Sequence, residues 1–414
     1  MKVGIRHRTK AEIAARAWLA ACGLLALNIL GCGGETAVSA REIATVDIEP
    51  GEMLLVGVGD GASFTATARD ADGFFVAGTA RWSIDRPAVA TITDAGFASA
   101  MAAGTATVTA TVGGVSGTAQ LEVYVPARIS RYTVGQSYYG RRDYVEYIPG
   151  TLPVILSSSH GGAMTPTEIP NRTFGVVRND TNSLELTVAM RQALIDLTGQ
   201  APHVIYSHLH RSKLDANREI VEAAQDNPYA ELAWEEFHEW IKVARATVAA
   251  DYGKGMYFDI HGHGHDIERL ELGYLLTSEE LNRPDASLNS LAVVAETSIR
   301  DLGRTSPIPF SHLLRGPTSL GGLFAEEDIP SVPSPADPGP GDAPYFRGGY
   351  NTREYGSFRD AEVVSGIQIE HHYRGVRDTP DNRFIYATKA ARVIRDFMLE
   401  HYGFFETGGT APAR

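Results

Sequence analysis

The chain has 414 residues, 43% of them hydrophobic and 21% charged, with a formal net charge of −13. Such a length and apolar fraction provide for two or three domains and a sizeable core. The negative charge argues against nucleic acid or an anionic membrane surface as the main partner.

At the N-terminus Lys2, Arg6, Arg8, Lys10 and Arg16 precede an apolar run from Ala17 to Leu30 broken only by Asn28. That is the pattern of an export signal, and the run is shorter than the roughly 20 residues a membrane-spanning helix needs. Its end, Ile29-Leu30-Gly31-Cys32, resembles the bacterial lipobox. The resemblance implies cleavage before Cys32, lipidation of that cysteine, and a protein anchored to the bacterial cell envelope on its periplasmic side or at the cell surface. Residues 1–31 are read as the signal peptide and 32–41 as a tether. Because the only other cysteine, Cys22, lies inside the signal, the mature chain has no disulfide to lean on and depends on its core and on metal.

Residues 42–126 are expected to form a small β-sandwich. In Thr105-Ala106-Thr107-Val108-Thr109-Ala110-Thr111-Val112 every second residue is apolar, and Ala119, Leu121, Val123 and Val125 continue the alternation after Gly113-Gly114. Short strands separated by turn residues, with Trp82 near Ile84, suit two packed sheets. The length and the stretches Ala80-Arg81-Trp82-Ser83-Ile84 and Val89-Ala90-Thr91-Ile92 resemble a bacterial Ig-like domain. No cluster of His, Cys or paired carboxylates falls here, so this part is read as a spacer or an arm for a cell-surface ligand.

From about Arg128 strands and helices alternate, the signature of an α/β layer fold; residues 127–405 are assigned to this second domain and 406–414 to a tail. Leu152-Pro153-Val154-Ile155-Leu156 reads as a buried strand running into Ser157-Ser158-Ser159-His160-Gly161-Gly162. A helix from about Ser183 to Leu197, stopped by Gly199, is followed by a strand at His203–Tyr206. Asn227 and Pro228 open a long helix to about Ala250. Gly255-Met256-Tyr257-Phe258-Asp259-Ile260-His261-Gly262-His263-Gly264-His265 then reads as a buried strand delivering imidazoles at its end. A second long helix is expected around Ser287 to Leu302. The Pro- and Gly-rich stretch Ile329–Pro344 is expected to be a functional loop walling a pocket. Gly366-Ile367-Gln368-Ile369-Glu370 is the last strand and Arg383–His401 the closing helix.

Three separated strands thus finish on chemistry-bearing side chains: His160, His261 and Glu370. In open α/β sheets the ligand site lies beyond the carboxyl ends of the strands, so parallel neighbours would bring these groups together. Two His and a carboxylate with an open position suit a hydrolytic zinc site, with a second carboxylate as general base. Asp259 shares a strand face with His261 and is either a ligand or the group that orients it.

Tyr147-Ile148-Pro149-Gly150, Ser159-His160-Gly161-Gly162, Asp215-Ala216-Asn217-Arg218, Asp259-Ile260-His261, Gly348-Gly349-Tyr350-Asn351-Thr352 and Gln368-Ile369-Glu370 together resemble the N-formylglutamate amidohydrolase family, over nearly all of residues 138–402. That family is related to zinc carboxypeptidases and aspartoacylase-like deacylases. The resemblance implies an α/β/α mixed-sheet fold, one Zn2+ per chain, His160 and His261 as metal ligands, and Glu370 as general base. It also implies that Asn217 and Arg218 hold a substrate carboxylate, while Tyr350 and Arg353 in the Gly-rich stretch are candidates for substrate contact. Where zinc carboxypeptidases carry a Glu three positions after the first His, this chain has Ala163. Asp180 is the choice for third ligand, with Asp259, His263 and Glu185 as rivals.

Simpler roles compete at several positions. His160 also reads as a loop histidine, Asp215–Arg218 as a capping turn, Glu370 as one end of an ion pair with Arg374 or Arg377, and His238 as a packed histidine beside Phe237, Trp240 and Ile241. The reading that absorbs most of these residues is a zinc-dependent amidohydrolase of an N-acyl amino acid or small peptide bearing a carboxylate. A formylglutamate-degrading enzyme is expected in the cytoplasm, so the export signal points away from that substrate. The alternatives are a surface protein that binds without turnover and a metallocarboxypeptidase.

Overall fold

The computed structural model describes residues 41–405 except 128, 130 and 360. The segment expected to be a signal peptide, Cys32, the expected tether up to residue 40 and the expected tail 406–414 lie outside the described residues. Among the described residues no helix is long and apolar enough to cross a membrane.

The N-terminal part is all β. Strands Gly104–Val112 and Val115–Tyr124 form a hairpin with Val112 opposite Val115. Its turn is Gly113-Gly114, with φ of 58° and 91°, the left-handed pair that a two-residue hairpin turn demands. The expected alternation is seen in burial: Ala106, Val108, Ala110, Val112, Ala119, Leu121 and Val123 point inward. They meet the three-stranded sheet of Gly61–Ser63, Phe97–Ala100 and Ala90–Ile92 and the pair Thr45–Glu49 with Thr65–Arg69 in one core. Trp82 packs against Phe64, ring centroids 6.4 Å apart.

This sandwich is docked on the second domain. The buried Arg141 guanidinium grips Glu122 with two bonds of 2.6 Å and stacks over Tyr229 at 4.3 Å. Tyr124 Oη donates to Glu236 at 2.9 Å, and Leu54 joins the second domain's core. Burial pushes the Glu236 carboxyl up to about 7 despite the backbone N–H of Arg141 that it accepts.

The second domain is built on one eight-stranded sheet: β1 (Tyr138–Tyr139), β2 (Val145–Ile148), β3 (Val154–Ser158), β4 (His203–Ser207), β5 (Gly255–Gly262), β6 (Leu270–Gly273), β7 (Ser331–Val332) and β8 (Val364–His371). Their order is β1-β2-β4-β3-β5-β8-β6-β7. The centre, β4-β3-β5-β8, is parallel, and antiparallel pairings β2-β4 and β8-β6 flank it. Both faces are covered, so the central strands are buried along almost their whole length, including the polar residues of their carboxyl-terminal halves. Val154, Leu156, Met256, Phe258, Ile260, Ile367 and Ile369 face one core, shared with helices α1 (Ser183–Thr198) and α3 (Pro380–Tyr402). Ile155, Ile205 and Tyr257 face the other, under α2 (Pro228–Tyr252). Asn227 caps α2 by accepting from the backbone N–H groups of Tyr229 and Ala230, with Pro228 at the first position. The result is an α/β/α layer fold on a mixed sheet.

Two expectations need correction. The helix expected over Ser287–Leu302 is three short helices, Asp285–Leu288, Leu291–Ala295 and Arg300–Thr305. The break falls where the Ser298 backbone leaves the helix to bond outward: its N–H donates to Tyr274, and its carbonyl accepts from Ser357 and Gly366. The Pro-rich stretch Ile329–Pro344 adds β7 to the sheet edge, and it is tied down by Arg269 to Asp337, Arg315 to the Pro338 carbonyl and Asn282 to Gly341. None of it lines the cavity described below.

Removing one partner of a buried, bidentate ion pair strands the other charge. Arg141→Ala is therefore expected to destabilise the full chain by roughly 2–4 kcal/mol in urea unfolding and to speed proteolysis between the two domains. A loss near zero would show that the docking rests on the Tyr124–Glu236 bond and the apolar contacts of Leu54 instead.

Candidate active site

Backbone pairing sets the site. In β5 and β8, residue pairs run in register from Gly255 opposite Val364 to His261 opposite Glu370. Side chains alternate between faces along a strand. Since Met256, Phe258 and Ile260 take one face, Tyr257, Asp259 and His261 take the other, together with Gln368 and Glu370 of β8 and Ser157 of β3. His160 follows two residues after β3. Gly161 and Gly162 let the chain turn there: a Cβ at Gly161 would stand 2.2 Å from the Leu184 backbone nitrogen at the start of α1, and one at Gly162 2.2 Å from the His208 carbonyl carbon.

Three ligand atoms converge. His160 Nδ1 and His261 Nδ1 are 3.1 Å apart, and Asp180 Oδ2 stands 3.4 Å from the first and 3.2 Å from the second. All three residues are buried. The far nitrogen of each ring is held by a carboxylate: His160 Nε2 by Asp215 Oδ1 at 2.6 Å, and His261 Nε2 by Asp259 Oδ2 at 2.8 Å. A carboxylate accepts, so each ring carries its proton on Nε2 and turns a bare Nδ1 toward the other. Two such lone pairs and a carboxylate oxygen repel one another unless a proton or cation lies between them. Donors bound to zinc at tetrahedral angles stand about 3.3 Å apart, close to the separations seen. The group can hold a divalent ion.

The electrostatics agree. Burial opposes ionisation of Asp180, yet His160 and His261 hold its carboxyl well below the usual range. Asp215 is likewise depressed against burial by His160 and Arg211, and Asp259 by His261. His261 would be lowered by burial, but Asp259 and Asp180 carry it well above its ordinary value. With no ion counted, a proton shared by the His261 ring adds positive charge to that of Arg211, 3.3 Å from Asp180, and a metal ion would take the proton's place.

Glu370 is the outlier. Burial pushes its carboxyl up to about 8, against the attraction of His261 and with added repulsion from Asp180 and Glu271. Gln368 Nε2 donates to Glu370 Oε1 at 2.9 Å, while Oε2 is buried with no hydrogen-bond partner among the described residues.

These groups open on a cavity of about 560 Å³. His160, Asp180, Asn217, Arg218, His261, Gln368 and Glu370 line it, as do Arg178 and Arg211. Arg211 is spent on Asp215 and Asp180. Arg218 bonds the Asn217 carbonyl through Nη1 and approaches Glu222 through Nε, leaving Nη2 without a protein partner among the described residues.

Of the residues singled out from sequence, His160, Asp180, His261, Glu370, Asn217 and Arg218 come together at this cavity. Asp259 takes the orienting position behind His261, and His263 and the exposed Glu185 stand outside the triad. Tyr350 and Arg353 do not line the cavity and are a correction: Tyr350 packs on Trp234 and His238, and Arg353 stacks on Phe358. The short helix Tyr350–Tyr355 turns them outward and leaves Phe346, Gly348 and Gly349 at the wall. His238 is packed, bonded to Tyr355 at 2.7 Å. Sequence reasoning gave no role to Asp215, Gln368, Arg178 and Arg211. The four-residue spacing of Arg211 and Asp215 and the two-residue spacing of Gln368 and Glu370 were the available signals.

The family model of the bacterial Ig-like domain (group 2) matches residues 56–123. No curated protein matches the chain. Among solved structures it is similar to domains 4 and 5 of the S-layer protein SbsC, at 19% identity and a TM-score of 0.19, covering 20% of this chain and 53% of that one. This chain thus spans about half of that fragment. It is similar also to an N-formylglutamate amidohydrolase from Ralstonia eutropha, at 13% identity and a TM-score of 0.38, covering 60% of this chain and 95% of that one. A gene product of Agrobacterium tumefaciens is similar at 13% identity and 0.38, covering 62% and 94%.

The carboxylate behind a metal-binding histidine is worth about 10- to 100-fold in affinity. Asp215→Asn is expected to weaken zinc binding by that factor in a chelator competition, with the fold checked by circular dichroism. Unchanged affinity would remove Asp215 from the site.

Proposed function

We propose that the chain is a zinc-dependent hydrolase that cleaves an amide bond in a small carboxylate-bearing substrate, an N-acyl amino acid or short peptide. The observation that carries this reading is the triangle of His160 Nδ1, His261 Nδ1 and Asp180 Oδ2 beside the unpaired Oε2 of Glu370. His160, Asp180 and His261 would hold the ion. A zinc ion in such a setting lowers the pKa of a bound water to near 7 and polarises a carbonyl.

The chain's own residues supply the rest. Asp215 and Asp259 fix the tautomers of the two histidines. Glu370, its Oε1 held by Gln368, presents Oε2 to take a proton from the attacking water and pass it to the leaving amine. A carboxyl raised toward 8 by burial is a stronger base than an ordinary one, and a nearby cation draws it back toward the neutral range. Arg218 offers Nη2 to the substrate carboxylate, with Arg178 adding charge to the cavity. An export signal ending at Cys32 would put the enzyme in the cell envelope, a location that favours acylated amino acids and peptide fragments as substrates. The docked Ig-like domain then spaces the active site from the anchor.

Glu370→Gln keeps shape and is expected to retain zinc while turnover of N-acyl amino acids falls by about 10²–10⁴-fold; full activity in that variant would end the assigned role. For Arg218→Ala, loss of one charge-assisted contact is expected to lower kcat/KM by roughly 10- to 100-fold on substrates with a carboxylate and little on esterified ones. Zinc bound without turnover on any N-acyl amino acid or small peptide would favour a protein that only binds.

A further inference from the structure

A second group of metal-ligating side chains adjoins the first and shares no residue with it. His263 and His265 lie on the connection from β5 to β6, and Glu271 stands on β6. Their ligand atoms all fall within 4.8 Å of one another.

Glu271 is 1% exposed, yet among the described residues only His263 and His265 come within ion-pair reach of it. Its Oε2 accepts the Phe346 backbone N–H at 2.7 Å, so Oε1 is the oxygen left for the histidines. His265 Nδ1 is 2.7 Å from it and His263 Nδ1 4.0 Å. His263 Nε2 lies 2.8 Å from the Arg269 carbonyl, which can only accept. The proton is therefore on Nε2, and the lone pair of Nδ1 accepts the His265 backbone N–H at 3.2 Å, a contact that an ion bound at Nδ1 would replace. His265 stacks on Phe346 with centroids 4.7 Å apart.

A separate observation calls for positive charge at this point. Glu271 is the direct cross-strand partner of Glu370, and like charges directly opposite on one sheet face repel. Among the described residues no lysine or arginine forms an ion pair with either carboxylate, although arginines pair with Asp180 and Asp215 nearby.

We propose that His263, His265 and Glu271 form a second divalent-cation site. Two imidazoles and one carboxylate suit a first-row transition ion such as Zn2+ or Co2+ and not the all-oxygen preference of Ca2+ or Mg2+. His265, half-buried, is the member that moves: binding through Nδ1 replaces its hydrogen bond to Glu271 and shifts its proton to Nε2. The ion would pin the β5–β6 connection to β6 and offset the Glu271–Glu370 repulsion. Because His263 and His265 also line the active-site cavity, it adds a positive charge on that wall. This inference is independent of the amide-hydrolysis reading, since its ligands differ.

The test is metal stoichiometry on the full chain, stripped with chelator and titrated with Zn2+, read by elemental analysis after gel filtration. Two equivalents are expected. His265→Ala and Glu271→Gln should each lose one, or weaken it at least about tenfold, and His261→Ala should lose the other. If His265→Ala fails to fold by circular dichroism, His265→Asn at the same half-buried position takes its place. One equivalent that is lost in His261→Ala and kept in the His265 and Glu271 variants would overturn the second site and leave the first standing. One equivalent lost only in the His265 and Glu271 variants would uphold the second site and overturn the proposed active site. A second equivalent that persists in both His265→Ala and Glu271→Gln would place the ion elsewhere and overturn the assignment.

Discussion

The in-register parallel pairing of β3, β5 and β8 is the constraint on which the rest of the second domain depends. With β5 and β8 aligned so that His261 meets Glu370, the two-residue repeat of a strand decides every other placement. Apolar residues go to the core shared by α1 and α3; Ser157, Tyr257, Asp259, His261, Gln368 and Glu370 gather on the opposite face. A slip of one residue would exchange these sets, burying the histidine among leucines and turning Ile260 into the cavity. The large apolar cores on both faces make that slip costly, so packing far from the chemistry is what holds the chemistry in place.

Within that frame the charges are organised around shortage. Asp180, Asp215, Asp259, Glu271 and Glu370 are all buried, and isolated buried carboxylates are strongly disfavoured. Arg211 and Arg172 serve Asp215, Arg211 also serves Asp180, and Ser157 serves Asp259. Among the described residues three features of this cluster stand out as unmet: two imidazole nitrogens facing one another, one Glu370 oxygen without a partner, and a Glu271 oxygen whose ion-pair partners are histidines alone. Under the proposed function each of these shortages would be met by a cation or by a proton in transit, the condition a hydrolytic site exploits.

The Ig-like domain takes part in the fold and is not a loose appendage. Arg141 sits just beyond the connection between the domains and reaches back to Glu122, while Tyr124 reaches forward to Glu236.

The sequence by itself carried the features that depend on near neighbours. Alternation in 105–125 with Gly113-Gly114 between its halves specified a hairpin, because period and turn residues act locally. Continuous apolar runs ending in His160, His261 and Glu370 specified buried strands with functional ends. Asp180 was reachable only by elimination, and Asp215 and Gln368 were not reached, since their roles arise from rings and carboxylates brought together from distant strands. The helix expected at Ser287–Leu302 failed for the same reason: its periodicity was real, but Tyr274, Ser357 and Gly366 claim the Ser298 backbone across the chain. Tyr350 and Arg353 lay beside the right motif and on the wrong side of a short helix. Local propensity wrote the elements into the sequence; which side chains share a cavity was decided by strand order and register, which are set by the burial of whole faces and belong to no single stretch.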